Sequence, residues 1–226
     1  MESIYDRTKL VLQDKLSLVC DKNILILGVG GVGGYCFEML VRLGVKNITV
    51  VDDDTFKESN LNRQVLSSIS VLGQNKVAVA KLRAKDINPD VKVNDINCRI
   101  NPSNVDTIIQ TDFDYVIDAI DDVTAKVAVI KYCLEKGIPL ISSMGTGNRY
   151  CTPSYEVTDI SKTSYDKLAK KIRTELKKQG IYKGVNVCYT KSSPVRTDGL
   201  GSIAYHPLSC AGTIVSFVVN SLIKND

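Results

Sequence analysis

A glycine-rich turn between an apolar strand and a helix constrains the fold of this chain more than any other feature. Residues 23–27, Asn-Ile-Leu-Ile-Leu, form a short apolar run typical of a strand buried on both faces. Gly-Val-Gly-Gly-Val-Gly-Gly follows at residues 28–34, and residues 35–43 continue as a helix. Such a turn lets the backbone approach a phosphate, and the helix N-terminus offers free N–H groups, so the segment predicts nucleotide binding without distinguishing NAD from ATP. The candidate contacts are Gly28, Gly30, Gly31 and Gly33.

The polar residues after the next strand favour a triphosphate over a dinucleotide. Asp52 follows the predicted strand of residues 47–51, at about the distance where a carboxylate binds a ribose hydroxyl. Ser-Asn-Leu-Asn-Arg-Gln at residues 59–64 and Gly-Gln-Asn-Lys at residues 73–76 come soon after. Arg and Lys are fixed donors that neutralise polyphosphate oxygens, whereas a dinucleotide fold has little use for them here. The candidate contacts in this part are Asp52, Asp54, Asn60, Arg63 and Lys76.

A later strand ends in several acidic residues. Residues 114–122 have the sequence Asp-Tyr-Val-Ile-Asp-Ala-Ile-Asp-Asp, in which an apolar strand runs into a carboxylate cluster. Carboxylate oxygens suit Mg²⁺. The candidate contacts here are Asp121 and Asp122.

The order of predicted elements indicates an α/β fold. Strands alternate with helices, which predicts a Rossmann-like, doubly wound, mainly parallel sheet with helices on both faces. Beyond Gly145 we expect a basic helix at residues 165–179, a crossover loop at residues 183–201 around a short strand, and an apolar helix at residues 207–223. We expect one domain over residues 1–226, with a nucleotide-binding core at residues 1–144 and a substrate-facing region at residues 145–226.

In combination, these motifs resemble the ubiquitin-activating-enzyme-like adenylating superfamily, which includes the bacterial sulfur-carrier activators. The resemblance covers residues 7–122 and uses five motifs in order: G-x-G-G-x-G, D-x-D, S-N-L-N-R-Q, G-Q-x-K and D-x-x-D. It implies that residues 1–226 form a single adenylating-enzyme domain, with residues 145–226 also contributing the dimer region. It also implies that a substrate carboxylate attacks the α-phosphorus of ATP, with Mg²⁺ bound, and forms an acyl adenylate.

The same resemblance implies a role for individual residues. Asp52 would hold the ribose and Lys76 the α-phosphate. Asn60 and Arg63 would meet the polyphosphate, and Asp121 would be the metal ligand.

An arginine near the N-terminus adds a fourth catalytic candidate to Arg63, Lys76 and Asp121. Arg7 stands near the start of a predicted helix over residues 1–20. In the superfamily, an arginine at this place reaches across a homodimer to the partner's ATP, so the resemblance implies a homodimer with Arg7 supplied in trans. A solvated arginine at a helix end is the alternative interpretation.

A narrower set of motifs resembles the tRNA threonylcarbamoyladenosine dehydratase branch. These motifs lie at residues 87–89, 145–148, 157–160, 162–163 and 201–205. They imply that the substrate is threonylcarbamoyl on the adenosine next to the anticodon, whose adenylated carboxylate closes a ring, and that the tRNA anticodon arm is a partner. The basic helix is either a solvated face or a phosphate-binding surface.

Composition limits the alternatives. The net charge of +4 permits RNA contact. Seven cysteines without a CxxC pair indicate free thiols in a cytoplasmic protein and exclude the four-cysteine zinc site of many sulfur-carrier activators. No apolar run reaches the ~18 residues of a membrane helix, so we expect no membrane partner. The alternatives are an activator of a ubiquitin-like or sulfur-carrier protein tail, with a sulfur-transfer or ubiquitin-like partner, an NAD-binding oxidoreductase, and a non-catalytic nucleotide-binding scaffold.

Overall fold

The computed structural model describes residues 3–224. A seven-stranded sheet with the order β3-β2-β1-β4-β5-β7-β6 forms its centre. Every neighbouring pair of strands is parallel except β6 and β7, which are antiparallel. The strands are β1 (Asn23–Leu27), β2 (Asn47–Val51), β3 (Lys92–Ile96), β4 (Tyr115–Asp118), β5 (Leu140–Ser143), β6 (Glu156–Asp159) and β7 (Asn186–Tyr189).

Helices cover both faces of this sheet, which confirms the predicted Rossmann-like fold. Buried side chains of α2, α3, α4 and α8 form one core with one face, and those of α5, α6 and α7 form a second core with the other. The helices are α1 (Asp6–Leu12), α2 (Lys15–Cys20), α3 (Gly31–Leu43), α4 (Lys76–Ile87), α5 (Val105–Ile108), α6 (Val123–Lys136), α7 (Lys167–Lys178) and α8 (Tyr205–Lys224). In such sheets ligands bind at the carboxyl ends of the strands, and we call this side the carboxyl edge.

The prediction of one helix over residues 1–20 was wrong. Two helices, α1 and α2, are separated at Gln13, whose φ of 51° lies in the left-handed region. A left-handed residue cannot continue a right-handed helix. The hydrophobic pattern did not reveal the break because both helices keep apolar residues at helical spacing.

The apolar C-terminal helix is longer than expected. α8 spans 20 residues and, by length and composition alone, could cross a membrane, contrary to our reading of the apolar runs. Cys210, Ile214 and Val218 of α8 are fully buried in the core, where the helix packs mainly against α3. The apolar character of α8 is therefore explained by its place in the core of this fold.

Candidate active site

The glycine turn connects β1 to α3 at the carboxyl edge. Gly28 has a φ of 84°, and a Cβ atom there would lie 2.8 Å from the carbonyl oxygen of Ala119. A Cβ atom at Gly33 would lie 1.8 Å from the carbonyl oxygen of Gly28, which shows that the turn and the first helical residues pack without room for side chains. The N-terminus of α3, a 13-residue helix, lies at this edge, where its first N–H groups favour an anion.

Asp52 joins the end of β2 to the glycine turn. Its Oδ2 accepts a hydrogen bond of 2.7 Å from the backbone N–H of Val29, and its Oδ1 accepts one of 2.9 Å from that of Asp54. A carboxylate has about four acceptor sites, so these two bonds orient the group and leave capacity for a ribose hydroxyl.

Lys76 and Asp54 form an ion pair that the motifs did not reveal. Lys76 is almost buried, and its Nζ lies 2.9 Å from Oδ2 of Asp54, while Nζ of Lys57 lies 3.0 Å from Oδ1. Partial burial by itself raises the pKa of Asp54, but hydrogen bonds from Lys76 and Lys57 outweigh it and lower the pKa to about 2. Asp54 is thus an anion that positions the lysine predicted to meet the α-phosphate.

The Ser-Asn-Leu-Asn-Arg-Gln loop lies over the glycine turn. Arg63 donates through Nη1 to the carbonyl of Ser59 at 2.6 Å, and its Cγ lies 3.9 Å from the Cβ position of Gly31. Asn60 is buried, and its Oδ1 accepts from the backbone N–H of Lys57 at 3.0 Å. The structure therefore brings Arg63 beside the turn and gives Asn60 a role in shaping the loop.

Gln64 is a site residue that sequence reasoning missed. It is buried, and its Nε2 lies 3.7 Å from the Cβ position of Gly30. Its Oε1 has no hydrogen-bond partner among the described residues. The sequence signal that could have identified Gln64 was its position directly after Arg63 in the motif of residues 59–64.

The carboxylates at and after the end of β4 have three different environments. Asp118 is fully buried, and its Oδ2 lies 2.8 Å from Nζ of Lys126 and 2.7 Å from Oγ of Ser142. Asp122 caps α6 by accepting from the backbone N–H of Ala125 at 2.8 Å. Asp121 is exposed and forms no hydrogen bond or ion pair within residues 3–224.

This arrangement still suits one Mg²⁺ ion bound together with a nucleotide. Within the described part of the chain, no group of three or more His, Cys, Asp or Glu side chains could hold a metal ion. Mg²⁺ is usually bound by one or two carboxylates together with substrate phosphates, so the free carboxylate of Asp121 beside the glycine turn meets the requirement.

Arg7 lies at the opposite edge of the sheet from these residues. It is exposed on α1, two residues after Tyr5, whose ring is packed against Gly44 at the C-terminus of α3. The hydroxyl of Tyr5 also accepts from Nδ2 of Asn88, the residue after α4. Helices α3 and α4 both begin at the carboxyl edge, so their C-termini lie at the amino ends of the strands. Arg7 therefore lies at the amino ends too, away from the nucleotide site of its own chain.

The crossover loop folds back onto the turn after β5, and Asn148 makes several of the contacts between them. Its Nδ2 donates to the carbonyl of Gly199 at 3.0 Å, and its backbone N–H donates to the carbonyl of Gly201 at 2.8 Å. Its own carbonyl accepts from the backbone N–H of Val195 at 2.7 Å, and its φ of 58° lies in the left-handed region. The turn at residues 145–148 thus anchors the loop.

We expect Asn148→Ala to release this loop. The substitution removes the side-chain hydrogen bonds, and alanine is less favourable than asparagine in the left-handed backbone conformation. Trypsin cleavage at Arg196, an exposed loop residue, should become several-fold faster. Asn148→Gly is the matched control for backbone strain, since glycine keeps the conformation and loses only the side-chain bonds. Unchanged cleavage of both variants would contradict the anchoring role.

Arg149, Asp166 and Arg173 are charged residues whose side chains are held by contacts within the fold. Arg149 is buried and donates to the carbonyls of Gly145 and Ser192 at 2.9 and 3.0 Å. Asp166 is also buried, and it caps α7 by accepting a hydrogen bond from the backbone N–H of Ala169. Arg173 donates to Thr163, so it is held against the turn before α7.

Cys188, Cys210 and His206, the candidates nearest the crossover loop and the C-terminal helix, lie in buried surroundings that do not suit a nucleophile. Cys188 and Cys210 are fully buried with their sulfurs 3.6 Å apart. The hydrogen bond with Cys188, together with burial, raises the pKa of Cys210, which disfavours a thiolate. Burial lowers the pKa of His206, which lies 3.2 Å from the hydroxyl of Tyr155.

Comparison with known proteins agrees with this geometry. The sequence matches the ThiF family over residues 6–225. It is 39% identical over 192 residues to the tRNA threonylcarbamoyladenosine dehydratase of Bacillus subtilis, which covers 84% of this chain and 76% of that protein. The corresponding Escherichia coli protein is 38% identical over 162 residues, 72% of this chain and 60% of its own length. The crystal structure of the E. coli enzyme, TcdA, in complex with ATP superposes with a TM-score of 0.91 at 30% identity, over 99% of this chain and 98% of that one.

Proposed function

The chain belongs to the ThiF family, and from this premise we propose that it is an ATP-dependent tRNA threonylcarbamoyladenosine dehydratase. The observation that carries the proposal is the close structural similarity, over nearly the whole of both chains, to the E. coli dehydratase bound to ATP. The glycine turn, Asp52, Lys76 and Asp121 lie at the same edge of the sheet, as a nucleotide site requires.

The reaction begins with adenylation of the substrate. The carboxylate of the threonylcarbamoyl group attacks the α-phosphorus of ATP, and pyrophosphate leaves. In this proposal Lys76 stabilises the negative charge that develops on the α-phosphate, and the turn with Arg63 holds the polyphosphate. An atom of the same modified side chain then attacks the acyl carbon, AMP leaves and the ring closes. No step requires an enzyme thiol, in agreement with the burial of Cys188 and Cys210.

We assign Mg²⁺ to Asp121, where the ion would neutralise phosphate charge. Asp122 remains a proposed nucleotide contact beside it, although one of its oxygens caps α6. Asn60 likewise remains a proposed contact near the phosphates, with its side chain held in the loop.

We further propose a homodimer that acts in the cytoplasm on the anticodon arm of tRNA. The position of Arg7 supports the dimer, because an arginine at the amino ends of the strands can meet ATP only in another subunit. Seven free cysteines agree with a reducing compartment.

The proposed function predicts that the purified chain, with ATP and Mg²⁺, converts threonylcarbamoyladenosine in tRNA to its cyclic form. Nucleoside analysis of the digested tRNA would detect the product, and the release of AMP and pyrophosphate would accompany it. Asp121→Ala should lower the rate by at least about 10²-fold without loss of fold, since the side chain has no partner among the described residues. Asp53→Ala, which removes another exposed acid at the same edge, is the control for charge.

Two results would contradict the proposal. One is adenylation of a Gly-Gly protein tail with no reaction on modified tRNA, as a sulfur-carrier activator would show. The other is tighter binding of NAD than of ATP in calorimetry.

A further inference from the structure

A groove between α6 and α7 opens at the carboxyl edge, outside the nucleotide site. Its volume is about 1050 Å³. Val123, directly after Asp122, lines one side of its open end, and Lys167, directly after Asp166, lines the other. Oδ2 of Asp166 accepts from the backbone N–H of Gly145 at 3.0 Å, which fixes this end of α7 at the edge where β5 ends. The groove therefore begins beside Asp121 and runs down the outer face of the α6–α7 layer.

The groove has an apolar floor and a basic rim. Val105 and Val127 are buried in its floor, and the half-buried ring of Tyr132 lies further along. Four lysines and two glutamates line it, which gives a net charge of +2. Both glutamates have a basic neighbour: Glu175 lies 2.8 Å from Nζ of Lys178, and Glu135 lies 3.8 Å from Nζ of Lys131.

Three lysines at the open half of the groove are left without an acidic partner. Lys167, Lys170 and Lys171 are exposed and form no ion pair within residues 3–224. Two other cations of α7 do have partners, since Arg173 is held by Thr163 and Lys178 pairs with Glu175, while the exposed Lys177 does not line the groove. Within the groove, the basic face predicted from the sequence therefore consists of a short cationic strip formed by Lys167, Lys170 and Lys171.

We propose that this groove binds unpaired nucleotides of the RNA substrate next to the reacting adenosine. The inference rests on the proposed function, because the adenosine must reach the carboxyl edge and its neighbours must continue along the adjoining surface. Lys167, Lys170 and Lys171 contact phosphates, and the apolar floor receives bases. A cationic groove with apolar and aromatic surface is the usual combination for single-stranded nucleic acid. An acidic protein segment is the other occupant that this charge would admit, and the experiment separates the two.

The test compares two triple variants with the same change in net charge. Lys167→Gln, Lys170→Gln and Lys171→Gln together remove the strip. Lys85→Gln, Lys177→Gln and Lys183→Gln together remove three exposed lysines that neither line the groove nor pair with a residue that lines it. The probe is an anticodon stem-loop RNA that carries threonylcarbamoyladenosine, and its binding is measured by fluorescence anisotropy over a range of salt concentrations.

We expect the strip variant to bind the RNA at least about tenfold more weakly, with the log–log salt slope reduced by about 2, because each lost phosphate contact removes about 0.7. The control variant should change the affinity less than about twofold, and both should bind ATP normally. A second, single substitution tests the groove itself: Thr174→Glu adds a negative charge to its lining and should weaken RNA binding, whereas Thr174→Gln should not.

Equal losses in both triple variants, or unchanged RNA binding in the strip variant, would overturn the inference. Loss of an acidic peptide ligand by the strip variant with normal RNA binding would overturn it in favour of the protein occupant. Failure of the proposed function is distinguishable, since in that case the wild type binds ATP but does not close the ring on the same RNA, whatever the triple variants do in the binding assay.

Discussion

Replacing Lys126 with Met is expected to lower the free energy of unfolding by about 3–5 kcal/mol, the effect of leaving one member of a buried ion pair without its partner. Lys126 and Asp118 are both fully buried, and Nζ of Lys126 also lies 3.0 Å from Oγ of Ser142. The methionine side chain fills a similar volume, so the loss comes from the uncompensated carboxylate rather than from a cavity. Equilibrium unfolding in urea, monitored by circular dichroism, measures the change in the free energy of unfolding.

A second substitution distinguishes this cause from a general packing defect. Adding Asp118→Asn to Lys126→Met removes the buried charge but keeps an acceptor for the backbone N–H of Ile120, which Oδ1 of Asp118 now serves at 3.1 Å. The double variant should recover most of the lost stability. Lys131→Met, at an exposed position of the same helix, should change stability by no more than about 0.5 kcal/mol. A double variant no more stable than the single one would contradict the ion-pair explanation.

The same ion pair shows where sequence reasoning stops. The order of apolar runs, glycines and acids predicted the sheet and the ends of β1 and β2 correctly, because strand periodicity and the position of residues after a strand are local properties. Asp118 looked like another ligand at a strand end. Its burial depends on Lys126 turning inward from a helix eight residues later, and that contact has no local signature.

Two further differences have similar causes. Gln13 breaks the N-terminal helix through its backbone conformation, which the surrounding apolar pattern does not record. No local pattern marks Arg149, which follows a glycine-rich turn, as a structural residue. Carbonyl groups of the turn and of the crossover loop surround it, which requires two segments distant in sequence to meet.

Mixing two inactive variants should restore activity if Arg7 serves the partner's site. Arg7→Ala and Lys76→Ala are each expected to lower adenylation by about 10²–10³-fold, because each removes a donor that stabilises charge in the transition state. Arg7 is exposed on a helix without buried residues, and Lys76 opens α4, where alanine is well tolerated, so both variants should fold.

In a two-fold dimer formed from one chain of each kind, one site combines the intact Lys76 of one subunit with the intact Arg7 of the other, while the second site lacks both. Random exchange of equal amounts makes half of the dimers mixed, so the mixture should reach about a quarter of wild-type activity. The measurement is AMP release from ATP in the presence of modified tRNA, after subunit exchange has been verified with two affinity tags. Arg7→Ala mixed with a second batch of itself is the control. If exchange is complete and the activity of the mixture stays at the level of the separate variants, Arg7 does not act in the partner's site, and its exposed position on α1 reflects only a solvated helix end.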